Sequence, residues 1–300
     1  MTTSRVDLNC DVGEGYGAWP GGPDEVLMQQ ATSVNVACGY HAGDPSIMRR
    51  TCALAVRHHC AIGAQVAYPD LAGFGRRFID MQPGDLTDAV VYQLAALDGF
   101  ARLAGSRVEY VKPHGALYNA VVAHEAQAAA VATAVYQYDP TLAVLGMPRS
   151  AIGRACERLG VRFVHEGFAD REYTADGLLV PRTQPGALIT DPLRAAAQAV
   201  ALAASGLQSV CIHSDTPGAA ETTGVITSVA AISRWIAAHT ASGAGVTGAS
   251  ARTTKAGSRF TRTRVGWARA IPCSASCTTA SGRLINFFTA HSFVHNQATT

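Results

Sequence analysis

The stretch from Val108 to Asn119 reads VEYVKPHGALYN: a short apolar segment, then a polar turn, then a helical pattern. This order is typical of a parallel βα unit. Six other apolar segments repeat it, so the sequence predicts seven strands. The predicted strands are Val6–Asn9, Ser33–Cys38, Ala61–Ala67, Val108–Lys112, Leu142–Gly146, Val161–His165 and Ser209–His213.

Amphipathic helices are predicted between these strands. One apolar face includes Met48, Cys52 and Ala55, and a second is formed by Leu86, Val90, Leu94, Leu97 and Ala101. The pairs Asp44-Pro45 and Asp215-Thr216-Pro217 are helix start signals, because a capping side chain precedes a proline suited to the first helical position. Seven βα repeats in about 240 residues predict an α/β fold, a seven-stranded barrel related to the TIM architecture.

Composition limits the class of protein. Of the 300 residues, 48% are apolar and 15% are charged, a globular balance with a formal net charge of +2. The last acidic residue is Glu221, so the basic excess belongs to the end of the chain and the body predicts no nucleic-acid partner. The sequence has neither a signal-peptide pattern nor an apolar run of about 20 residues, which predicts a cytoplasmic protein without a membrane partner.

The composition changes near residue 243. We predict a barrel domain over residues 1–242 and a low-complexity basic tail over 243–300, poorly ordered and removable by protease. Helical coverage after Asp215 is expected to persist to about Ala238. The absence of carboxylates in the tail suggests an altered reading frame, which codon usage on either side of Gly243 would test.

Polar residues cluster where the predicted strands end. In a β/α barrel the loops after the strands converge at one mouth, so such clusters are the best candidates for a site. The predicted catalytic residues are Asp11, Glu14, His41, Lys112, His114 and Asp215. The predicted substrate-binding residues are Asp7, Asn9, Asn35, Asp44, Arg76, Tyr118 and His213.

Two chemistries suit this inventory. Carboxylates, histidines and Lys112 provide the base, the orienting partner and the cation of a water-activating centre. Alternatively, Asp11, His41 and His114 are candidate ligands of a divalent metal. Simple structural roles compete, since Asp44 and Asp215 have the sequence context of helix caps. No GxxxxGK(S/T) loop is present, so a nucleotide site within this chain is not predicted.

Six polar, glycine-rich segments resemble the signature segments of the LamB/YcsF family, in the same order. They are DLNCDVGEGYG, NVACGYHAGDP, YPDLAGFGRR, VKPHGALYN, FADREYTADGLLVPR and HSDTPGA. The resemblance covers residues 6 to about 219. It implies a distorted seven-stranded β/α (TIM-like) barrel of the glycoside hydrolase/deacetylase type. It also implies that the protein acts with the B and C subunits of a 5-oxoprolinase, cleaving 5-oxo-L-proline to L-glutamate with ATP as cosubstrate bound largely by the partners.

Two departures from the family pattern bear on the site. Many relatives have a histidine-proline pair where this chain has Gln65-Val66, which weakens a metal interpretation, and they keep acidic residues where this chain's final segment has none. We also expect one of Arg76 and Arg77 to meet an anion. The rival interpretations are a metal-dependent, deacetylase-like hydrolase acting alone and a non-catalytic barrel that binds a small lactam or carbohydrate.

Overall fold

Seven parallel strands close into a barrel in the computed structural model, which describes residues 6–229 and two short strands further along the chain. Strands that are consecutive in the sequence are neighbours in the barrel. The seventh strand closes the barrel by pairing with the first, with Asp7 opposite Ser209 and Cys10 opposite Ile212. The strands are β1 Asp7–Val12, β2 Ser33–Ala37, β3 Ala61–Val66, β4 Val108–Pro113, β5 Ala143–Gly146, β6 Arg162–Phe168 and β7 Ser209–Ile212. The predicted seven-stranded α/β barrel is therefore confirmed.

Helices pack around this barrel. They are α1 Asp24–Met28, α2 Pro45–Arg57, α3 Pro83–Leu103, α4 Gly115–Ala123, α5 Glu125–Tyr138, α6 Ala151–Leu159 and α7 Pro192–Ala204, and α8 begins at residue 219 and is described to 229. All five apolar residues predicted on one face of α3 are buried. Asp44 caps α2 by accepting from the backbone of Ser46 and Ile47, as its sequence context predicts.

The start of α8 differs from the prediction. The helix begins at residue 219, two residues after Pro217. At this start the Ala219 amide donates a hydrogen bond to the Thr216 carbonyl. Asp215 does not cap it, because the Asp215 carboxylate pairs with arginines instead. Val225 and Val229 pack on the apolar core, so the described part of α8 covers the barrel as expected.

The main core lies between the sheet and the helices, whereas the barrel interior combines polar side chains along β1 with a small apolar cluster of Tyr110, Ala143 and Leu145. Side chains alternate between the two faces of a strand. In β1, Cys10 and Val12 belong to the apolar core. Asn9 reaches Glu166 of β6 across the interior, at 2.8 Å. The polar side chains that point inward continue along the strands to the mouth, so the rigid strands hold them in position there.

One tyrosine fills the middle of the barrel. Tyr110 donates to Asn35 Oδ1 at 2.8 Å and lies over Gly63 of the neighbouring strand. A Cβ at Gly63 would lie 2.1 Å from the Tyr110 ring, so only glycine leaves room for it. This packing separates the mouth from the opposite end of the barrel.

The opposite, amino-terminal end is closed around Asp7. Its carboxylate accepts hydrogen bonds from the hydroxyls of Thr32, Ser33 and Ser209 at 2.5–2.9 Å. These residues begin or precede strands β1, β2 and β7. The prediction that Asp7 binds substrate is therefore wrong, since Asp7 joins strands at the end remote from the mouth.

The chain divides into two compact units, Met1–Ile232 and Ser233–Thr300. In the second, the described elements are β8 Cys277–Thr278 and β9 Leu284–Ile285, which pair antiparallel. The predicted boundary after residue 242, the end of α8 near Ala238 and the character of the tail lie outside the described residues. Among the helices of the described part, none combines the length and apolar character needed to cross a membrane.

Candidate active site

A buried ammonium group lies at the mouth of the barrel. Lys112 Nζ is 2.7 Å from Glu166 Oε1 and 3.5 Å from Asp11 Oδ1, and it donates to Asn9 Oδ1 at 3.0 Å and Cys211 Sγ at 2.9 Å. We call these five residues the lysine cluster. They come from β1, β4, β6 and β7, so four rigid strands fix the position of the charge.

The lysine is held charged. Burial by itself lowers the pKa of Lys112, but the carboxylates of Asp11 and Glu166 outweigh it and hold the pKa well above its ordinary value. Burial raises the pKa of Cys211 well above its ordinary value, so this residue is a thiol. The cluster thus holds a charged ammonium group at the cavity. Its three N–H donors are directed to Glu166, Asn9 and Cys211, so a developing oxyanion would replace one of these partners.

Two buried oxygens near this charge are unsatisfied. Glu166 Oε2 and Tyr118 Oη have no hydrogen-bond partner in the described part of the chain. Buried polar atoms are rarely left without partners. Because Tyr118 also lines the cavity described below, these atoms suit a ligand rather than packing alone.

A second polar group, the histidine cluster, contains Glu14, His41, His114 and Gln65. The rings of His41 and His114 stack with centroids 3.9 Å apart. His114 Nε2 contacts the Phe74 carbonyl at 3.0 Å. Burial, followed by the neighbouring His41, lowers the pKa of His114 well below its ordinary value. His114 is therefore neutral and donates from Nε2, which leaves its Nδ1 as an acceptor.

The side-chain amide of Gln65 contacts the three atoms of the histidine cluster that could bind a metal. Its Oε1 lies 3.2 Å from His41 Nε2, and its Nε2 lies 3.1 Å from Glu14 Oε1 and 3.0 Å from His114 Nδ1. One carboxylate and two imidazoles are a donor set that zinc accepts. A cation would have to displace all three amide contacts, so the residues as they stand do not fit a metal.

A buried carboxylate orients a third histidine. Asp170 accepts from the His213 backbone amide at 3.1 Å, His213 Nδ1 at 3.0 Å and Thr216 Oγ1 at 2.5 Å. Burial raises the pKa of Asp170, but His213 and these hydrogen bonds lower it to about 2. Because Nδ1 of His213 contacts Asp170, its Nε2 is the ring nitrogen left for a substrate or water. This is the arrangement of a general base held by a carboxylate.

Arginines gather at the rim. Arg76 and Arg182 both contact the carboxylate of Asp215, the latter at 3.2 Å. Arg171 is buried and donates to the carbonyls of Ala187 and Val180, which fixes the loop between β6 and α7. We call Arg76, Arg171 and Arg182 the arginine rim.

A cavity of about 560 Å³ connects these groups. Its size suits a small ligand. The cavity wall is formed by α4, by the side chains of Met147 and Phe168, and by the loop after β6. The charged and polar lining residues are Asp11, Arg76, Lys112, His114, Tyr118, Asn119, Arg171, Arg182, Thr183 and His213.

The structure brings most predicted site residues to this mouth, but in different roles. Asp11, Arg76, Lys112, His114, Tyr118 and His213 line the cavity. Asn9 and Asn35 are fully buried beneath Lys112, where Asn35 donates to Asn9 and Asp11 and is unavailable to a substrate. Asp44 is also misassigned, because its carboxylate is occupied by the backbone amides of Gly17, Ser46 and Ile47.

The predicted metal trio does not assemble. Glu14, not Asp11, is the carboxylate beside His41 and His114, whereas Asp11 lies with Cys211 and His213. The prediction failed because Asp11 and Glu14 follow the same strand, and their sequence proximity conceals that they serve different clusters. Of the two arginines expected to meet an anion, Arg77 pairs with the buried Asp70 and Arg76 with Asp215.

The sequence interpretation missed several residues. Glu166 was overlooked because β6 was predicted to end at His165, and it runs to Phe168. Asp170 and Arg182 lie in the loop after β6, where no strand-end rule marks them. The signal available was the alternation in β1 of Asp7, Asn9 and Asp11, which indicates a polar barrel interior and invites a search for its countercharges.

The fold and the cavity define the class: a closed parallel β/α barrel with a cationic ligand site at the carboxyl ends of its strands. The LamB/YcsF family profile matches residues 6–242, and the chain belongs to that family. It is 52% identical over 229 residues to a Nocardia farcinica protein named as the A subunit of 5-oxoprolinase, covering 72% of this chain and 91% of the relative. The same name is carried by a Kocuria rhizophila relative, 50% identical, with 72% and 90% covered.

A solved structure agrees. The lactam utilization protein from Thermus thermophilus superposes with a TM-score of 0.73 at 35% identity, covering 77% of this chain and 97% of that one. The predicted family resemblance is thus confirmed by sequence and by fold.

Proposed function

We propose that this chain is the A component of a cytoplasmic 5-oxoprolinase that opens 5-oxo-L-proline to L-glutamate with ATP hydrolysis, together with the B and C subunits. The observation that carries the proposal is the charged, buried Lys112 facing a small cavity beside the Asp170–His213 pair. It is supported by about 50% identity to relatives that carry the 5-oxoprolinase name, over nine-tenths of their length.

Hydrolysis of the lactam requires a group that stabilises the oxyanion and a general base. Attack of water on the ring carbonyl forms a carbon–oxygen bond and breaks the carbon–nitrogen bond of the lactam. The ring nitrogen takes a proton and becomes the amino group of glutamate. In this proposal His213 Nε2 accepts the proton of the attacking water, and Lys112 stabilises charge on the oxygen of the reacting carbonyl.

The proposed reaction uses ATP because an amide is a poor electrophile. Transfer of the γ-phosphoryl group of ATP to the amide oxygen, with release of ADP, would activate the ring carbon toward water. Expulsion of the ring nitrogen would then open the ring to an acyl phosphate. A second water would hydrolyse this acyl phosphate to L-glutamate and phosphate. The sequence contains no GxxxxGK(S/T) loop, so we assign most of the nucleotide site to the partner subunits. In this scheme the chain described here holds the lactam and its partners supply the phosphoryl group.

A lone metal-dependent hydrolase is the weaker alternative. The donor types in the histidine cluster favour it, but the Gln65 amide already bonds to each of them. We therefore assign no step to a metal ion.

Reconstitution tests the proposal. Glutamate release from 5-oxo-L-proline is measured with the chain alone, with the B and C subunits alone, and with all three, each with and without ATP. We expect release only when all three proteins and ATP are present. ATP-independent release by the isolated chain would contradict the division of labour, and no release by the full set would contradict the function.

A further inference from the structure

We propose that Arg76 and Arg182 form a subsite for a phosphoryl group, and that Asp215 occupies it in the absence of ligand. Both guanidinium groups contact the Asp215 carboxylate. Both arginines also line the cavity that contains Lys112 and His213. The subsite therefore opens onto the space in which we place the lactam.

The local charge is unbalanced. Asp215 is the carboxylate paired with the rim, and it faces two guanidinium groups, with Arg171 close by. Burial, together with Arg182, lowers the pKa of Arg171, so the neighbouring positive charges repel one another. The other nearby carboxylate, Asp170, is engaged by His213 and Thr216. Asp170 nevertheless keeps its negative charge beside Arg171, so three guanidinium groups face two carboxylates and the rim has one excess positive charge.

Donors are also left over. Arg182 Nη2 is buried and has no hydrogen-bond partner in the described part of the chain. A guanidinium offers five N–H donors in a planar fork that matches phosphate oxygens. Arg76 is held by stacking over the Phe74 ring, 5.0 Å from its centroid. One arginine is thus oriented and the other has a donor free.

The ligand class follows from the charge already present. Exchanging the Asp215 carboxylate for a substrate carboxylate replaces one single negative charge by another and gains little. A phosphoryl dianion adds a second charge and more acceptor oxygens, so it competes better for two guanidinium groups. We therefore assign the subsite to a phosphoryl group rather than to the carboxylate of the lactam.

The subsite deepens the proposed function, on which its role in turnover rests. It would hold the phosphoryl group attached to the amide oxygen, keep it as the ring opens to an acyl phosphate, and then hold the phosphate that a second water releases. Binding of free phosphate to the isolated chain does not depend on that role, so the two ideas can fail separately.

Titration of the full-length chain with inorganic phosphate at low ionic strength, followed by calorimetry, tests the subsite. We expect saturable binding that Arg76→Gln and Arg182→Gln each weaken about tenfold, the effect of losing a charged hydrogen bond. Arg77→Gln is the matched control, because Arg77 pairs with Asp70 and does not line the cavity. It should bind phosphate like the unmodified chain.

Asp215→Asn distinguishes this arrangement from a general electrostatic attraction. Removing the competing carboxylate should tighten phosphate binding by more than the same charge change at Asp176→Asn in the loop after β6. Unchanged or weaker binding by Asp215→Asn, or equal binding by the Arg76→Gln/Arg182→Gln double variant, would overturn the proposal. So would acetate competing as well as phosphate, since the subsite would then be one for carboxylates.

Discussion

The lysine cluster and the histidine cluster lie at the same end of one barrel, yet they are completed in opposite ways. In the first, a charged ammonium group is held by two carboxylates and faces the cavity. In the second, a neutral amide bonds to a carboxylate and two imidazoles. The lysine cluster presents charge to a ligand, whereas Gln65 joins the carboxylate and imidazoles of the histidine cluster to one another and leaves His41 Nδ1 without a partner among the described residues.

This difference shows why residue types alone do not identify a metal site. His41, His114 and a nearby carboxylate suggest ligands when read along the sequence. What decides the outcome is Gln65, whose side chain occupies the hydrogen-bonding positions a cation would need. We therefore place the chemistry at Lys112 and His213 and a structural role at Gln65, and the following predictions address that contrast.

The largest effect is expected from Lys112→Met. The substitution removes the ammonium group and leaves Asp11 and Glu166 buried without their counter-ion. Loss of a transition-state donor should lower glutamate release about a thousandfold. Uncompensated buried charge should also lower the free energy of unfolding by about 3 kcal/mol or more.

The double variant Lys112→Met/Glu166→Gln separates these effects. Removing one carboxylate should restore part of the stability in a denaturant titration without restoring glutamate release. Recovery of activity along with stability would mean that Lys112 is only structural.

Asp170→Asn is expected to act next most strongly. An asparagine no longer fixes the His213 tautomer, so turnover should fall about a hundredfold or more and its pH profile should change. Asp98→Asn is the control, since Asp98 is a buried aspartate at the end of α3 whose partners, Arg102, Val108 and Tyr138, lie away from the cavity. A variant with the unmodified pH profile would rule out a positioning role for Asp170.

The same carboxylate predicts a window of acid sensitivity. Its pKa is about 2 in the folded chain, below its ordinary 3.8, so its stabilising contribution is present above the ordinary value and lost as pH falls toward 2. The contribution is about 2 kcal/mol. Denaturant titrations between pH 2 and 5 should show this dependence in the unmodified chain and a smaller one in Asp170→Asn.

A smaller change is expected from Gln65→Ala. Removing the amide frees Glu14, His41 and His114 to bind a cation. Visible absorption of added Co²⁺ should therefore show tighter binding than in the unmodified chain, by about tenfold. Gln93→Ala, at a buried glutamine bonded to the Ala67 backbone, should show no such gain. Equally tight Co²⁺ binding by the unmodified chain would contradict the inference that Gln65 opposes cation binding at the histidine cluster.

The smallest functional effect is expected at the remote end of the barrel. Asp7→Asn weakens hydrogen bonds to Thr32, Ser33 and Ser209, so stability should fall by about 1 kcal/mol while turnover stays unchanged. A rise in KM for 5-oxo-L-proline would restore Asp7 as a substrate ligand.

The sequence predicted the barrel well because its signals are local. Each apolar segment marks a strand, and the spacing of Leu86, Val90 and Leu94 marks the buried face of α3. Local reasoning ended β1 at Asn9, three residues too early, since the polar Asp11 looks like a loop residue when the barrel interior is assumed to be apolar.

The site was only partly predictable because its partnerships are distant in sequence. Arg76 and Asp215 are 139 residues apart, and Asn9 and Glu166 are 157 apart. Residue types and strand ends placed Lys112, His114 and His213 at one mouth. They could not pair Asp170 with His213 or insert Gln65 among the histidines, because those contacts depend on the closure of the barrel.

The central claim is that the lactam carbonyl meets Lys112, and carbon NMR of 5-oxo-L-proline labelled with ¹³C at its ring carbonyl tests it most directly. A carbonyl oxygen that accepts from an ammonium group moves its carbon resonance downfield. We predict this shift on binding to the unmodified chain and to Gln65→Ala, and its loss with Lys112→Met/Glu166→Gln. A shift that survives in the double variant but disappears in Gln65→Ala would move the substrate to the histidine cluster and contradict the claim.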